Sequence, residues 1–491
     1  MGNGSAMART LPNSLHFVGV GGIGMSGLAQ MAKSLGCHVT GSDRALDRPE
    51  NAALFAALRA QGIELYPQDG SRFHSGAKPD ALIYSTAIEE DNPDFKAAGN
   101  LLRMHRSEAL SAEISALHCR HVAAVTGTCG KTSVTSWLSE ALFRLGKDPG
   151  VLSGGLVNAF RRPDAAGNFR RGSGEYFVLE ADESDKSLLN YGADSAMILN
   201  IGTDHYPKEE VARVFADFLK GVRQFAVIEL GAWKAMVQEN VRLPDGLKII
   251  LFTADAEGAD SEDGHPVYHL ESYESGVSGT RAAFRHAPRK IALPGPGRHQ
   301  AANALALYAE LLELGIRQDD ALSALENFHG VWRRFDPAGT NEKGVRFFDD
   351  YAHNVEKIIS CINAGQELAE RRIIALFQPH GFAPLGFMRE ELFQELEKNL
   401  REDDVFGLLP VYYAGGTASF KPQSAEVAAD WQRRGKRRYI YFENRSDAMQ
   451  LVNSEAGDGD IVLVMGARDN SLSVWAAELA HSGLKQGERK S

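Results

Sequence analysis

Short apolar runs alternate with longer stretches of helical period along most of the chain. LHFVGV (15–20) reads as a buried strand, GGIGMSGLAQMAKSLG follows with helical periodicity, and HVTGSD is a second strand and its polar end. DALIYSTAI (80–88) is a later strand, and this first cycle closes near Leu117. A second cycle opens with HVAAVTGTCGKTSVTSWLSEALFRLG, which is strand, loop and helix; YFVLEADES (176–184) and SAMILNIGTDH (195–205) are further strands running into acidic or polar residues. ADAEGADSEDG (254–264) predicts an exposed loop, and HQAANALALYAELLELGI (299–316) a helix with a small, apolar buried face. A third cycle begins near Arg333, with strands at VRFFDDYA (345–352), RRIIALFQPH (371–380) and DIVLVMGARD (460–469). Alternation of this kind predicts an α/β protein built on parallel sheets. Apolar strands that end in charged residues predict a site along the carboxyl edges of those sheets.

Composition narrows the classes. The chain has 491 residues, enough for about three domains. It is 44% hydrophobic and 24% charged, as soluble globular proteins are, with no low-complexity block. A net charge of −11 argues against nucleic acid as the main ligand, since phosphate-backbone binding needs a basic face. No apolar run is long enough to predict a membrane span, and MGNGSAMARTLPNS has no apolar core of the signal-peptide kind. The four cysteines, Cys37, Cys119, Cys129 and Cys361, are scattered without a C-x-x-C pair. They predict neither a zinc site nor a disulfide framework, and they fit a reducing cytoplasm.

Two glycine loops carry the first chemistry. In GVGGIGMSG (19–27) glycines permit a tight strand-to-helix turn and the approach of a phosphate to a helix N-terminus. Asp43 ends the next strand, where a ribose-binding acid would stand. A dinucleotide, a UDP-sugar or simply a tight turn fits this loop alone. In VTGTCGKT (125–132) the backbone amides of Gly127, Thr128, Cys129 and Gly130 can wrap phosphate oxygens; Lys131 supplies the cation and Thr132 a hydroxyl for Mg²⁺. Val125 stands where the strict P-loop pattern has glycine, which predicts a shortened loop. Glu180, Asp182 and Glu183 cluster at a strand end, and carboxylates of this kind suit Mg²⁺. His205, in TDH, follows another strand and is a candidate for a second metal. GPGRHQAAN (295–303), RRF (333–335) and DDYAHN (349–354) place further polar groups at helix starts and strand ends, where they serve equally well as caps or as ligand contacts.

The order of these motifs resembles the Mur ligase family, nearest its alanine-adding branch. The resemblance runs from about Leu15 to about Leu479, through HFVGVGGIGMSG, GSD, STAIEEDNPD, TGTCGKT, SGGLVNAF, EADES, NIGTDH, PGRHQAAN, RRF, DDYAHN and FQPH. It implies three α/β domains: a Rossmann-like UDP-sugar-binding domain over 1–118, a central P-loop-type ATPase domain over 119–332 and a Rossmann-like C-terminal domain over 333–491. It implies an ATP- and Mg²⁺-dependent ligase that joins UDP-N-acetylmuramate to L-alanine, a related amine or a short peptide through an acyl phosphate, with no nucleic acid or membrane partner. Carried onto this chain, Gly127 to Thr132 hold the ATP phosphates, with Lys131 catalytic. Thr132 and Glu180 ligate one Mg²⁺ and His205 a second. His299 and Asn303 contact adenine, Arg334 stabilises the transferring phosphate and Asp350 contacts ATP. Gly19, Gly21, Gly22, Ile23, Gly24, Ser42, Asp43, Ser85 and Thr86 form the UDP-sugar site.

Departures from the family pattern fall at Cys129, Gln300, Ala352, Asn354 and Val355, and above all in FQPHGFAPLGF. Gly381 and Pro384 stand where the alanine-adding branch has two arginines for the amino-acid carboxylate, and Arg389 is the downstream candidate to replace them. Three other readings stay open from sequence: a recycling ligase for a preformed peptide, a nicotinamide-dependent oxidoreductase built on GVGGIG and Asp43, and a binding or regulatory protein with a decayed site.

Overall fold

The computed structural model describes residues 11–74, 76–183, 186–202, 206–239, 246–276, 279–413 and 421–481. The chain divides into two compact units: residues 1–272, 282–294 and 301–331, and residues 273–281, 295–300 and 332–491. The first unit holds two sheets. One contains β1 (Ser14–Val18), β2 (His38–Asp43), β3 (Glu64–Pro67), β4 (Ala81–Tyr84) and β5 (Leu102–His105), in the order β3-β2-β1-β4-β5. Every pairing in it is parallel. The order reverses between β1 and β4, which opens a crevice at their carboxyl ends.

The other sheet contains β6 (His121–Thr126), β7 (Gly150–Leu152), β8 (Phe169–Arg170), β9 (Tyr176–Glu180), β10 (Ala193–Ile198), β11 (Val222–Glu229), β12 (Lys248–Thr253), β13 (Ser261–Glu262), β14 (His265–Gly276), β15 (Gly279–Phe284) and β16 (Ile291–Leu293). The order is β16-β15-β14-β12-β11-β10-β6-β9-β7-β8, with β13 paired to β14. β6 lies between β9 and β10, parallel to both, and all six of its residues are buried. The helix Lys131–Arg144 packs behind it; Trp137, fully buried, stacks on Phe328 at 5.2 Å and its Nε1 donates to the Leu325 carbonyl.

A buried amide joins the two sheets. The Asn168 Nδ2 donates to the Ile23 carbonyl (2.7 Å) and the Ser26 hydroxyl (2.9 Å), and its Oδ1 accepts from Gln30 Nε2 (2.9 Å). Gly27 approaches Leu152 so closely that a Cβ there would lie 2.6 Å from its Cδ1. The helix Ile23–Ser34, which follows the first glycine loop, is thereby seated against residues of the second sheet.

The second unit holds β17 (Asp336–Thr340), β18 (Arg346–Asp350), β19 (Ile373–Gln378), β20 (Val405–Leu408), β21 (Arg438–Tyr441) and β22 (Ile461–Gly466), ordered β17-β18-β22-β19-β20-β21. β17 is antiparallel and the rest parallel. Arg333, 1% exposed, pins the sheet's edge: its Nε lies 3.1 Å from Asp349 Oδ2, and it donates to the carbonyls of Asp469 and Gly466.

Most apolar runs stop pairing before their polar tails. YFVLEADES is strand only to Glu180, SAMILNIGTDH only to Ile198, and DALIYSTAI only to Tyr84. Inside the span 119–332, residues 273–281 and 295–300 group with the second unit, which no linear boundary expresses.

Candidate active site

β6 delivers its loop at the carboxyl edge of the second sheet. Val125, in the position of the absent glycine, is fully buried strand paired with Met197 and Glu180, so the loop opens only at Gly127. Gly127 (φ +138°) and Gly130 (φ +87°) hold backbone conformations that side chains rarely adopt, and Gly130 caps the helix Lys131–Arg144. The loop is braced from β10. The Asn200 side chain receives the Cys129 N–H at 2.8 Å and donates to the Cys129 carbonyl at 2.9 Å, while Thr128 Oγ1 accepts from the Gly202 amide. Asn303, 7% exposed, borders Gly130, where a Cβ would lie 3.4 Å from its Nδ2.

The three acidic residues at the end of β9 do three separate jobs. Glu183 pairs with Lys131 at 2.7 Å, in a pair whose side chains are 4% and 15% exposed, and Lys131 Nζ also donates to the Gly127 carbonyl. Glu180 accepts from Thr132 Oγ1 at 3.0 Å and from the Gly154 amide at 2.6 Å. Asp182 lies 3.4 Å from Arg106. Gly154 and Gly155 make the Glu180 arrangement possible: a Cβ on Gly154 would lie 2.5 Å from a Glu180 oxygen, and one on Gly155 would lie 2.7 Å from Thr132 Cγ2. Among the described residues no group of three or more His, Cys, Asp or Glu forms a metal cage. The Thr132–Glu180 pair still fits Mg²⁺, which takes few hard protein oxygens where phosphates supply others. His205, expected at a second metal, lies outside the described residues.

At the first sheet, Gly19 (φ +72°) and Val20 donate to the Ser42 carbonyl, and Gly22 caps the helix that begins with Ile23 and Gly24. The Asp43 carboxylate accepts from the Gly21 amide (2.8 Å) and the Ala45 amide (2.8 Å), so it supports the loop itself. Ser42 is fully buried and its hydroxyl donates to Asp94. Ser85 and Thr86 follow β4, across the crevice, half-buried and exposed. Arg106 starts the helix after β5; a Cβ on Gly24 would lie 3.4 Å from its Nη1. With Asp182 on its other side, Arg106 links the first loop to the acidic strand end.

In the second unit, the carboxyl ends of β18, β22 and β19 gather another polar group. Arg334 lies over the Tyr351 ring at 5.5 Å. Half-buried Asp350 accepts from the Phe335 amide (2.6 Å) and the Ala352 amide (2.7 Å), tying RRF to DDYAHN; burial lifts its carboxyl to about 6 against the pull of Arg334. His353 stands edge-on to His380 at 5.3 Å, and burial lowers it to about 4, so both it and the ring it touches stay neutral at pH 7. His299 is exposed on the first turn of its helix, with its ring against Gly297. Arg389 stands in another setting. It lies along the helix Phe382–Asn399 beside Glu390, Asp430 and Arg434, on a face made with the helix Ser424–Arg434.

Sequence reasoning named Glu183 only as part of a cluster, and missed Asn200, Gly154 and Arg106 as parts of the site. The signal for Gly154 was present in SGGLVNAF, an unexplained Gly-Gly between strands.

Comparison with known proteins identifies the domains. Residues 14–117 match the Mur ligase family catalytic domain, 125–310 the Mur ligase middle domain and 333–468 the Mur ligase glutamate ligase domain. The chain is 33% identical to a UDP-N-acetylmuramate–L-alanine ligase of Brucella anthropi, over 97% of this chain and 98% of that one. It is likewise 33% identical to the protein of that name from Agrobacterium fabrum, with 97% and 98% covered. A crystal structure of the UDP-N-acetylmuramate–alanine ligase of Thermotoga maritima superposes with a TM-score of 0.74 at 24% identity, covering 95% of this chain and 98% of that chain. A murein peptide ligase of Psychrobacter arcticus gives 0.63 at 22% identity, covering 95% and 97%. The two-loop architecture, the three matched domains and the near-complete likeness to these relatives leave the nicotinamide reading without support: the chain belongs to the Mur ligase family.

Proposed function

We propose that the protein is an ATP-dependent ligase that joins the carboxylate of UDP-N-acetylmuramate to the amine of L-alanine, in the cytoplasm, for peptidoglycan precursor synthesis. One observation carries the reading: Lys131, Thr132 and Glu180 converge on one glycine loop in the compact unit that also holds the first glycine loop. The names of the relatives support the choice of substrates.

The substrate carboxylate oxygen attacks the γ-phosphorus of ATP and ADP leaves. The amine nitrogen then attacks the acyl carbon, phosphate departs with its bridging oxygen, and the amine loses a proton. Catalysis of such transfers is mostly positioning and charge stabilisation. The amides of the loop from Gly127 to Gly130 would cradle the phosphates, and Lys131 would turn its ammonium from Glu183 to them. Thr132 and Glu180 would hold Mg²⁺, which when bound neutralises phosphate charge. By resemblance, Asn303 and His299 would contact the adenine, and Arg334 would meet the charge of the transferring group. The first loop, with Ser85 and Thr86 opposite, would take the UDP-sugar.

The test is phosphate release from MgATP and UDP-N-acetylmuramate across a panel of amino acids and short murein peptides, with Lys131→Ala beside it. Release with L-alanine that Lys131→Ala abolishes is the expected result. Release only with a peptide would transfer the protein to the recycling branch. No release with any amine would sink the ligase assignment and leave a regulatory nucleotide-binding protein.

A further inference from the structure

The second unit carries a cation that the described residues leave unpaired. Arg468 follows β22 in the left-handed conformation (φ +66°), exposed, with its backbone amide 3.4 Å from the Tyr351 hydroxyl. Among the described residues no carboxylate pairs with it; the neighbouring Asp469 is held by Arg445 at 2.7 Å and by Ser471. Beside it lie two buried polar atoms with no hydrogen-bond partner, His380 Nδ1 and Gln378 Oε1. Gln378, 8% exposed, pairs in register with Gly466, two residues before Arg468, and the charge of Arg468 reaches the His380 ring. A planar guanidinium fits a carboxylate bidentately. The unpartnered amide oxygen can only accept, and a neutral imidazole nitrogen can accept too, so they suit a ligand that brings N–H groups. Phosphate brings none at neutral pH beyond a single hydroxyl. A free amino acid brings both halves on one carbon, whereas a peptide carries its carboxylate far from its amine.

We infer that Arg468 grips the α-carboxylate of the incoming amine substrate, with Gln378 and His380 facing its nitrogen, which makes that substrate a free amino acid. This rests on the ligase reading above. Arg468→Gly is the variant of choice, because glycine accepts the left-handed backbone and removes only the side chain; Arg468→Lys keeps the charge and loses the fork. The assay measures phosphate release with L-alanine and with L-alaninamide, at saturating MgATP and UDP-N-acetylmuramate. Arg468→Gly should raise KM for L-alanine about 10- to 100-fold, as loss of a charge-assisted bidentate contact does. Its kcat and its KM for ATP should change less than about twofold, and the preference for L-alanine over L-alaninamide should collapse. Arg468→Lys should fall between. An unchanged KM and an undiminished preference would overturn the inference while the ligase reading stands, and a rise in the KM for ATP alone would reassign Arg468 to the nucleotide. A wild-type protein that releases phosphate only with peptides would also overturn it. Failure of the wild type with every amine would remove the ligase reading and this inference together.

Discussion

Replacing Glu183 by glutamine should separate the resting arrangement of the phosphate loop from its loaded one. In the resting protein the Lys131 ammonium is almost sealed from water, and its counter-charge is the Glu183 carboxylate at 2.7 Å. A neutral amide in place of that carboxylate would leave the ammonium with the Gly127 carbonyl at 2.8 Å and the more distant Thr128 carbonyl at 3.5 Å. Stripping one partner from a buried ion pair costs about 3–5 kcal/mol. With 15% exposure and a carbonyl retained, Lys131 belongs at the lower end, about 3 kcal/mol. For a unit this large that lowers the melting midpoint by about 4–5 °C. The loss should be conditional, because nucleotide phosphates supply the missing negative charge. Differential scanning fluorimetry of Glu183→Gln, without ligand and with saturating MgATP alone, should show the deficit in the first condition. The nucleotide-induced shift should exceed the wild-type shift by about the same 4–5 °C. A variant that melts within about 2 °C of wild type, with an equal nucleotide shift, would show that Glu183 does not anchor Lys131.

Two further substitutions probe neighbouring features. Gly154→Ala places a Cβ 2.5 Å from a Glu180 oxygen that is already hydrogen-bonded, so the carboxylate must leave its seat; the Mg²⁺ concentration for half-maximal phosphate release should rise about tenfold with little change in melting point, and an unchanged Mg²⁺ titration would contradict the assignment of Glu180. Glu310 is fully buried, donated to by Ser195, and burial raises its carboxyl to about 7. The native state therefore binds a proton the unfolded chain has released, and stability should decline as pH rises from about 4.5 to about 7, by about 3 kcal/mol in total. Glu310→Gln should flatten that segment of a pH-dependent urea titration, and a slope unaltered by the substitution would refute it.

Much of this arrangement was legible in local sequence. Strand, loop and helix around Gly127–Thr132 follow from an apolar run, two glycines and a periodic segment, all within one stretch of chain. The same is true of Gly19–Gly24. Residues whose role depends on distant partners were harder to see. Nothing in the spacing of EADES says that Glu180 meets Thr132, Glu183 meets Lys131 and Asp182 meets Arg106, because those meetings are set by the order in which β6, β9 and β5 enter their sheets. Asn200 reads as a polar strand end, yet its amide fits one particular peptide of the loop. Asp43 and Ser42 read as ligand contacts because their positions are right; their side chains are instead engaged by loop amides and Asp94, which only three-dimensional packing could reveal.

The buried amide of Asn168 has a consequence for how the chain is made. The helix that follows the first loop leaves the ribosome 145 residues before the side chain that caps its Ile23 carbonyl. At translation speeds of about 5–20 residues per second that interval is roughly 7–30 s. For most of it the Gly27 face lacks Leu152, and throughout it Gln30 lacks the Asn168 amide. The nascent N-terminal sheet therefore emerges with an open flank, and its completion is timed by the arrival of the second sheet.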